Sequence, residues 1–336
     1  MLTIIIPKIL AHEVYVLNKT LVTSDETNHS INIWHALNSG RTWLLFIACA
    51  LTIGSLFALA LYLKSRPYFK KLGHQIDKSA ILAPDIIRIA FGASLLFSAS
   101  HGALYGPELP LHSIIGGNLI LALLWVSGTG LVLGLWSRIW ALLMMLVWLW
   151  ALVTKGVYLF TYGNYLGEAL AVFLLPCQRM SIDYFITNKE KSKSIMRWSH
   201  FSMPVARILF GASLLYTAVS VKFMDTALSL DVVNHYHLTN YFPFAPLFVV
   251  LGAGLIEVLV SLLYMTGLLQ RFTTVIFLVF MTLSLLFFKE SVWPHYLLIA
   301  LAIGIFMHKP DMWAADRYLF AKQSKPGKRE RRQQQA

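Results

Sequence analysis

The sequence predicts an all-α, polytopic membrane protein of about nine transmembrane helices: one leading helix followed by two four-helix bundles. Three observations predict it. The 336 residues are 57% hydrophobic and only 13% charged, with a mean hydropathy of +0.64, far from the balance of soluble domains. Several windows carry about 20 mostly apolar residues, enough to cross the hydrocarbon core as helices. Finally, Ile87-Arg88-Ile89-Ala90-Phe91-Gly92-Ala93-Ser94-Leu95-Leu96 returns as Ala206-Arg207-Ile208-Leu209-Phe210-Gly211-Ala212-Ser213-Leu214-Leu215, and each copy opens a run of apolar segments. Such self-similarity marks a duplicated unit.

The elements follow in order. Residues 1–42 form an extracytoplasmic amino-terminal segment. Its apolar start, Met1 to Leu10, is interrupted by Pro7 and Lys8 and is short for a secretory signal. A leading span follows at 43–63, then a polar, basic linker from Lys64 to Pro84. Module 1 covers 84–177, with spans at 84–104, 115–136, 138–160 and 162–177. The linker Gln178 to Ser202 carries Lys189-Glu190-Lys191-Ser192-Lys193. Module 2 covers 203–308, with spans at 203–224, 244–268, 271–290 and 293–308. The tail, 321–336, is strongly basic and expected to be disordered. Four spans per module give both copies the same orientation, a parallel repeat.

The net charge of +12 reflects topology and not nucleic-acid binding. Alternating loops leave Lys8, Lys19, Arg41, Lys155, Lys222 and Lys289 on one side, while nearly all other Lys and Arg collect on the opposite side. Basic loops stay cytoplasmic. The expected location is therefore the plasma membrane, as in a bacterial inner membrane, with the amino terminus outside and the carboxyl tail inside. The expected partner is the lipid bilayer. Trp43, Trp136, Trp140, Tyr158, Tyr162, Trp198, Trp293 and Tyr296 lie near span ends, where aromatic belts belong.

The similarity between modules extends past the opening stretch. Gly134-Leu135-Trp136-Ser137-Arg138 corresponds to Gly267-Leu268-Leu269-Gln270-Arg271, and Tyr165-Leu166-Gly167-Glu168-Ala169-Leu170-Ala171 to Tyr296-Leu297-Leu298-Ile299-Ala300-Leu301-Ala302. The opening Arg-x-x-x-Gly helix, followed by Glu257 ahead of a glycine and Arg271, resembles the DoxX family of four-helix membrane proteins. The resemblance covers 84–177 and again 203–308. It implies two DoxX-like bundles and association with membrane redox complexes, including thiosulfate:quinone oxidoreductase, although many members have no assigned activity. A quinone is the cofactor, and redox-complex subunits are the partners, that such a role implies. The chain departs from the pattern in one respect. Leu124 stands in module 1 where module 2 has Glu257, and Ile299 in module 2 where module 1 has Glu168.

Those two acids are the candidate chemical groups, for proton or polar-ligand handling. Glu257 falls half-way along its span, where an acid costs on the order of 3 kcal/mol on insertion scales and generally faces the bundle interior. The bland alternative is a protonated glutamate tying two helices by one hydrogen bond. Glu168 lies nearer the outer face, with Asn164 and Tyr165 one turn before it. Arg88 and Arg207 lie about one turn inside the cytoplasmic boundary. They are expected to snorkel to the interface, with an anionic headgroup or a carboxylate as alternative ligands; Asp85 is close to Arg88. His101 stands near the outer end of its helix, and His112, His235, His237 and His295 are read as external. His235-Tyr236-His237 lacks a third ligand, so no metal site is expected. Cys49 and Cys177 sit in separate spans and form no thiol or iron–sulfur pattern. Walker, dinucleotide and HExxH motifs are absent from the sequence. The leading functional expectation is a quinone- or electron-transfer-linked membrane subunit. A small-solute transporter built from parallel repeats and a non-catalytic scaffold are the alternatives.

Overall fold

The computed structural model describes residues 31–114, 116–174, 180–186, 199–288 and 293–321. The first 30 residues, Cys177, Trp198, the Lys189–Lys193 run and the tail beyond 321 lie outside them. Among the described residues the secondary structure is helical, apart from one isolated bridge between Ala103 and Pro110. Six helical stretches are long and apolar enough to cross a membrane, and Gly117–Leu133 and Trp293–Met307 are shorter apolar helices. The expected nine spans are thus met by fewer full-length helices. One cause is the stretch Ser137–Leu174, where two expected spans run on through a 3-10 turn at Gly156–Tyr162.

Helix α1 (Gly40–Ser65) begins with a reciprocal cap. The Thr42 backbone N–H donates to Ser39 Oγ at 3.2 Å, and the Ser39 N–H to Thr42 Oγ1 at 3.3 Å, satisfying two orphan donors. It ends where Arg66 turns extended ahead of Pro67, because the residue before proline disfavours helical dihedrals. Along α1 only Ala60 is buried, so this span stands apart from the bundle. Helix α2 (Pro67–Lys78) follows at once and buries no residue.

The first bundle comprises α3 (Ala83–Ser100), α4 (Gly117–Leu133), α5 (Ser137–Lys155) and α6 (Gly163–Leu174). A five-residue helix, α7 (Ile182–Ile186), follows. The second bundle comprises α8 (Ser202–Thr217), which runs into a π-helical turn at Ala218–Met224, then the outer helix α9 (Thr226–His235), α10 (Pro246–Thr266), α11 (Gln270–Phe288) and α12 (Trp293–Met307). Helix α13 (Ala315–Ala321) closes the described chain.

Helix α3 crosses α4 closely, and α8 crosses α10 in the same way. Gly92 and Gly128 face each other so tightly that a Cβ on either would sit 2.8 or 2.9 Å from the other's carbonyl oxygen, and Gly211 meets the Ser261 carbonyl at 2.8 Å in the same way. Such contacts let backbones approach where lipid supplies no hydrophobic drive. The two helix groups share one apolar core and also pack together through their last helices. Helix α6 packs along α8, and α12 packs along α3. At the first crossing a Cβ on Gly167 would lie 3.0 Å from Leu209; at the second, one on Gly304 would lie 2.8 Å from Ile87. A smaller apolar cluster at the far end joins Ile33 and Leu37 to Val233, Leu238, Phe248 and Leu251.

Candidate functional site

The repeat arginines do not snorkel. Arg88 is 3% exposed and Arg207 0%. Arg88 reaches the carboxyl end of α4, and Arg207 that of α10. Arg88 Nη1 donates to the carbonyls of Leu131 and, at 3.0 Å, Val132; Arg207 Nη1 donates to those of Tyr264 and, at 2.7 Å, Met265. Those carbonyls lie in the last turn of a helix and carry its negative dipole, and those of Leu131 and Tyr264 also accept from the N–H groups of Gly134 and Gly267. A carboxylate completes each clamp, Asp85 at 3.2 Å from Arg88 Nη2 and Asp311 at 2.8 Å from Arg207 Nε. Burial overrides snorkelling because the guanidinium nitrogens find acceptors inside, all three in Arg207 and both Nη atoms in Arg88, whose Nε is buried without a partner.

A second carboxylate caps the following helix in each bundle. Asp183 accepts the backbone N–H groups of Trp136 and Ser137 at 2.8 and 3.0 Å, and Asp316 those of Leu269 and Gln270 at 2.8 and 3.1 Å. Both turns pass through a left-handed glycine, Gly134 at φ 68° and Gly267 at φ 66°. Lys64 from α1 reaches Asp316 at 2.5 Å, and Arg271 reaches Asp77 of α2 at 2.6 Å. This end of the molecule is an electrostatic frame.

Glu257, half-way along α10, pairs with Lys222 of the π-helical turn at 3.1 Å, and both side chains are largely shielded. The structure therefore differs from the protonated-tether expectation, and a lysine assigned to an outer loop turns inward to meet the acid. Glu168 has the opposite character. It is 0% exposed, and neither carboxyl oxygen has a hydrogen-bond partner. Asn164, one turn earlier, is near enough to polarise it, yet no well-formed hydrogen bond closes between them. Lys222 is the partner of Glu257, so the two acids serve separate environments.

Sequence reasoning missed Glu108, in the loop between α3 and α4. It accepts hydrogen bonds at Oε1 from the hydroxyls of Tyr158, at 2.8 Å, and Tyr162, while Oε2 is buried without a partner. Burial pushes its carboxyl above the usual range, and the two tyrosine hydroxyls oppose that shift. Tyr105, Tyr162 and Tyr165 cluster around it with ring centroids 4.5 to 6.1 Å apart. The Tyr165 hydroxyl lies 2.6 Å from Ser94 Oγ and donates to the Tyr105 carbonyl at 3.1 Å. Tyr162 and Trp293 thus turn inward and leave the expected aromatic belt, whereas Trp43 and Trp136 stay exposed. The signal available beforehand was an acid set among Leu104, Tyr105 and Leu109 in an otherwise apolar loop.

A cavity of about 40 Å³ joins this cluster to the crossing of α6 and α8. Thr161, Tyr162, Asn164, Ser213 and Thr217 line it with hydroxyl and amide groups, and Pro294 and Leu298 of α12 close it. It has room for a water or so and is far too small for a quinone ring.

His101 caps the end of α3 and stacks on Trp293 with centroids 4.6 Å apart, its Nδ1 2.9 Å from the Phe97 carbonyl. It faces no cluster of ligands. His295, expected outside, is buried in the first turn of α12. Among the described residues no group of three His, Cys, Asp or Glu could hold a metal ion. Cys49 is exposed on α1. No family model, no curated protein and no solved structure matches this chain.

Proposed function

We propose that the chain is an integral membrane protein of two tandem four-helix modules whose buried acids move or hold protons near the outer face. The observation that carries this reading is Glu168, wholly buried with both carboxyl oxygens lacking hydrogen bonds. A carboxylate in that setting is costly unless it exchanges a proton or meets water. Asn164, one turn from it, also lines the small cavity, and the tyrosines around Glu108 extend hydroxyls toward the loop end. That arrangement suits proton exchange between the outer surface and the bundle interior. The matched arginine clamps support the tandem-module reading, and the sidedness of basic residues supports a plasma-membrane location with the amino terminus outside.

The test is infrared difference spectroscopy on the purified protein in proteoliposomes. A protonated-carboxyl band that shifts in heavy water and disappears in Glu168→Gln is the expected result. A spectrum unchanged by that substitution across the accessible pH range overturns the reading.

The quinone-linked role implied by the DoxX resemblance is the alternative reading. It would place the quinone against the lipid-facing helices, with Glu168 and Glu257 reached only indirectly. Quinol turnover by the purified protein, alone and with co-purifying subunits, tests that role.

A further inference from the structure

The unburied helix α2 has a protein-facing side, an apolar flank that overlaps it at Phe69, and a polar remainder rich in lysine. At about 3.6 residues per turn, Gly73, Ile76 and Asp77 share the side that faces the protein. Arg271 fastens that side, donating to the Gly73 carbonyl at 3.1 Å and to Asp77 Oδ1 at 2.6 Å. A second sector holds Tyr68, Phe69 and Leu72, exposed at 71%, 39% and 40%. The third holds Lys70, Lys71 and Lys78 together with Pro67, His74 and Gln75, all exposed. The helix starts directly at the end of α1, a span apolar enough to cross a membrane, so it sits at headgroup depth. A dozen residues, apolar on one arc and basic on another, match a helix that lies in the interface.

We propose that α2 is a docking surface for anionic lipid headgroups. Tyr68, Phe69 and Leu72 enter the acyl boundary, and Lys70, Lys71 and Lys78 collect the phosphates around them. Charge complementarity selects this occupant over a protein partner, because the exposed side chains of the helix that carry full charge are all lysines and an anionic leaflet attracts each of them. Arg271 keeps the helix in the plane by holding its third side to the bundle. The inference rests on the membrane-spanning reading above, but not on the proton-handling one.

The test uses the full chain with Cys49→Ala and Cys177→Ala and a nitroxide on Leu72→Cys. It is reconstituted into bilayers of phosphatidylcholine alone or mixed with phosphatidylglycerol. The expected result is a label shielded from a water-soluble nickel chelate and accessible to oxygen, more deeply so with the anionic lipid. Native mass spectrometry should show preferential retention of phosphatidylglycerol, reduced about fivefold for each of Lys70→Gln and Lys71→Gln. A label equally water-exposed in both bilayers, or retention unchanged by the two substitutions, overturns the proposal. Alkaline carbonate separates the two levels: a chain released from the membrane by it overturns the spanning reading itself, whereas a retained chain with a water-exposed label overturns only the role of α2.

Discussion

Arg207 and Asp311 meet at two points, Nε to Oδ2 at 2.8 Å and Nη2 to Oδ1 at 3.2 Å, with the arginine wholly shielded from solvent. The same guanidinium also holds the last carbonyls of α10. Removing one partner of such a pair leaves a buried charge uncompensated, which costs about 3–5 kcal/mol. Asp311→Asn and Arg207→Lys should both lower the thermal midpoint of the detergent-solubilised protein. Arg207→Lys should be the more damaging of the two, because an ammonium cannot serve Asp311 and two carbonyls with a planar fork. An unchanged midpoint in both would remove the clamp from the list of stabilising features.

Glu168→Gln keeps the shape of the side chain and removes its ionisation. It should leave the folded yield and midpoint within about 1 kcal/mol of the parent while abolishing proton exchange. Proton uptake by proteoliposomes after an external acid jump checks it. Asn164→Leu should slow the same uptake, because it replaces the amide between cavity and acid with an apolar group.

The loop acid Glu108 gives a pH signature. Burial raises its carboxyl above the ordinary 4.5 despite the hydroxyls of Tyr162 and Tyr158. The folded chain then binds that proton more tightly than the unfolded chain does. Its contribution is therefore fully present below about 4.5 and declines as pH climbs from there toward the raised value. Glu108→Gln should flatten the fall of the thermal midpoint over this acidic window. A parallel slope in mutant and parent would show that other groups set it.

Gly134 and Gly267 occupy backbone with φ near +67° in a structure where side chains crowd them. A Cβ at Gly134 would lie 2.3 Å from Ser181 Cβ, and one at Gly267 would lie 2.7 Å from Ala314 Cβ. Alanine at either should destabilise by about 2–4 kcal/mol, combining left-handed strain with overpacking. Circular dichroism melts of the two variants measure it, and the paired losses should be similar in size.

The sequence made the helical class visible because apolar windows of span length and basic loops are local signals. The repeat was equally plain in Arg88 and Arg207, yet their role was hidden. Snorkelling depends only on position along a helix, whereas the observed partners of Arg207 include an aspartate 104 residues away. Glu257 was legible as a costly acid, but its lysine partner precedes the loop and helix α9 and shares no helical spacing with it. Glu108 was overlooked because an acid beside glycine and proline reads as a solvated turn. Only tertiary packing brings Tyr158 and Tyr162 over it.

The packing of α12 along α3 has a consequence for synthesis. Helix α3 emerges with Ala83 and Ile87 exposed, and the helix that covers them, α12, is made only after residues 101–292 have been translated. At the usual 5–20 residues per second that delay is roughly 10 to 40 s. During it the first four-helix unit stands in the bilayer with an open flank, a ready target for insertases, proteases or another nascent chain. Ribosome stalling before Trp293 should therefore yield a protease-sensitive intermediate, and release of α12 should be the event that ends its vulnerability.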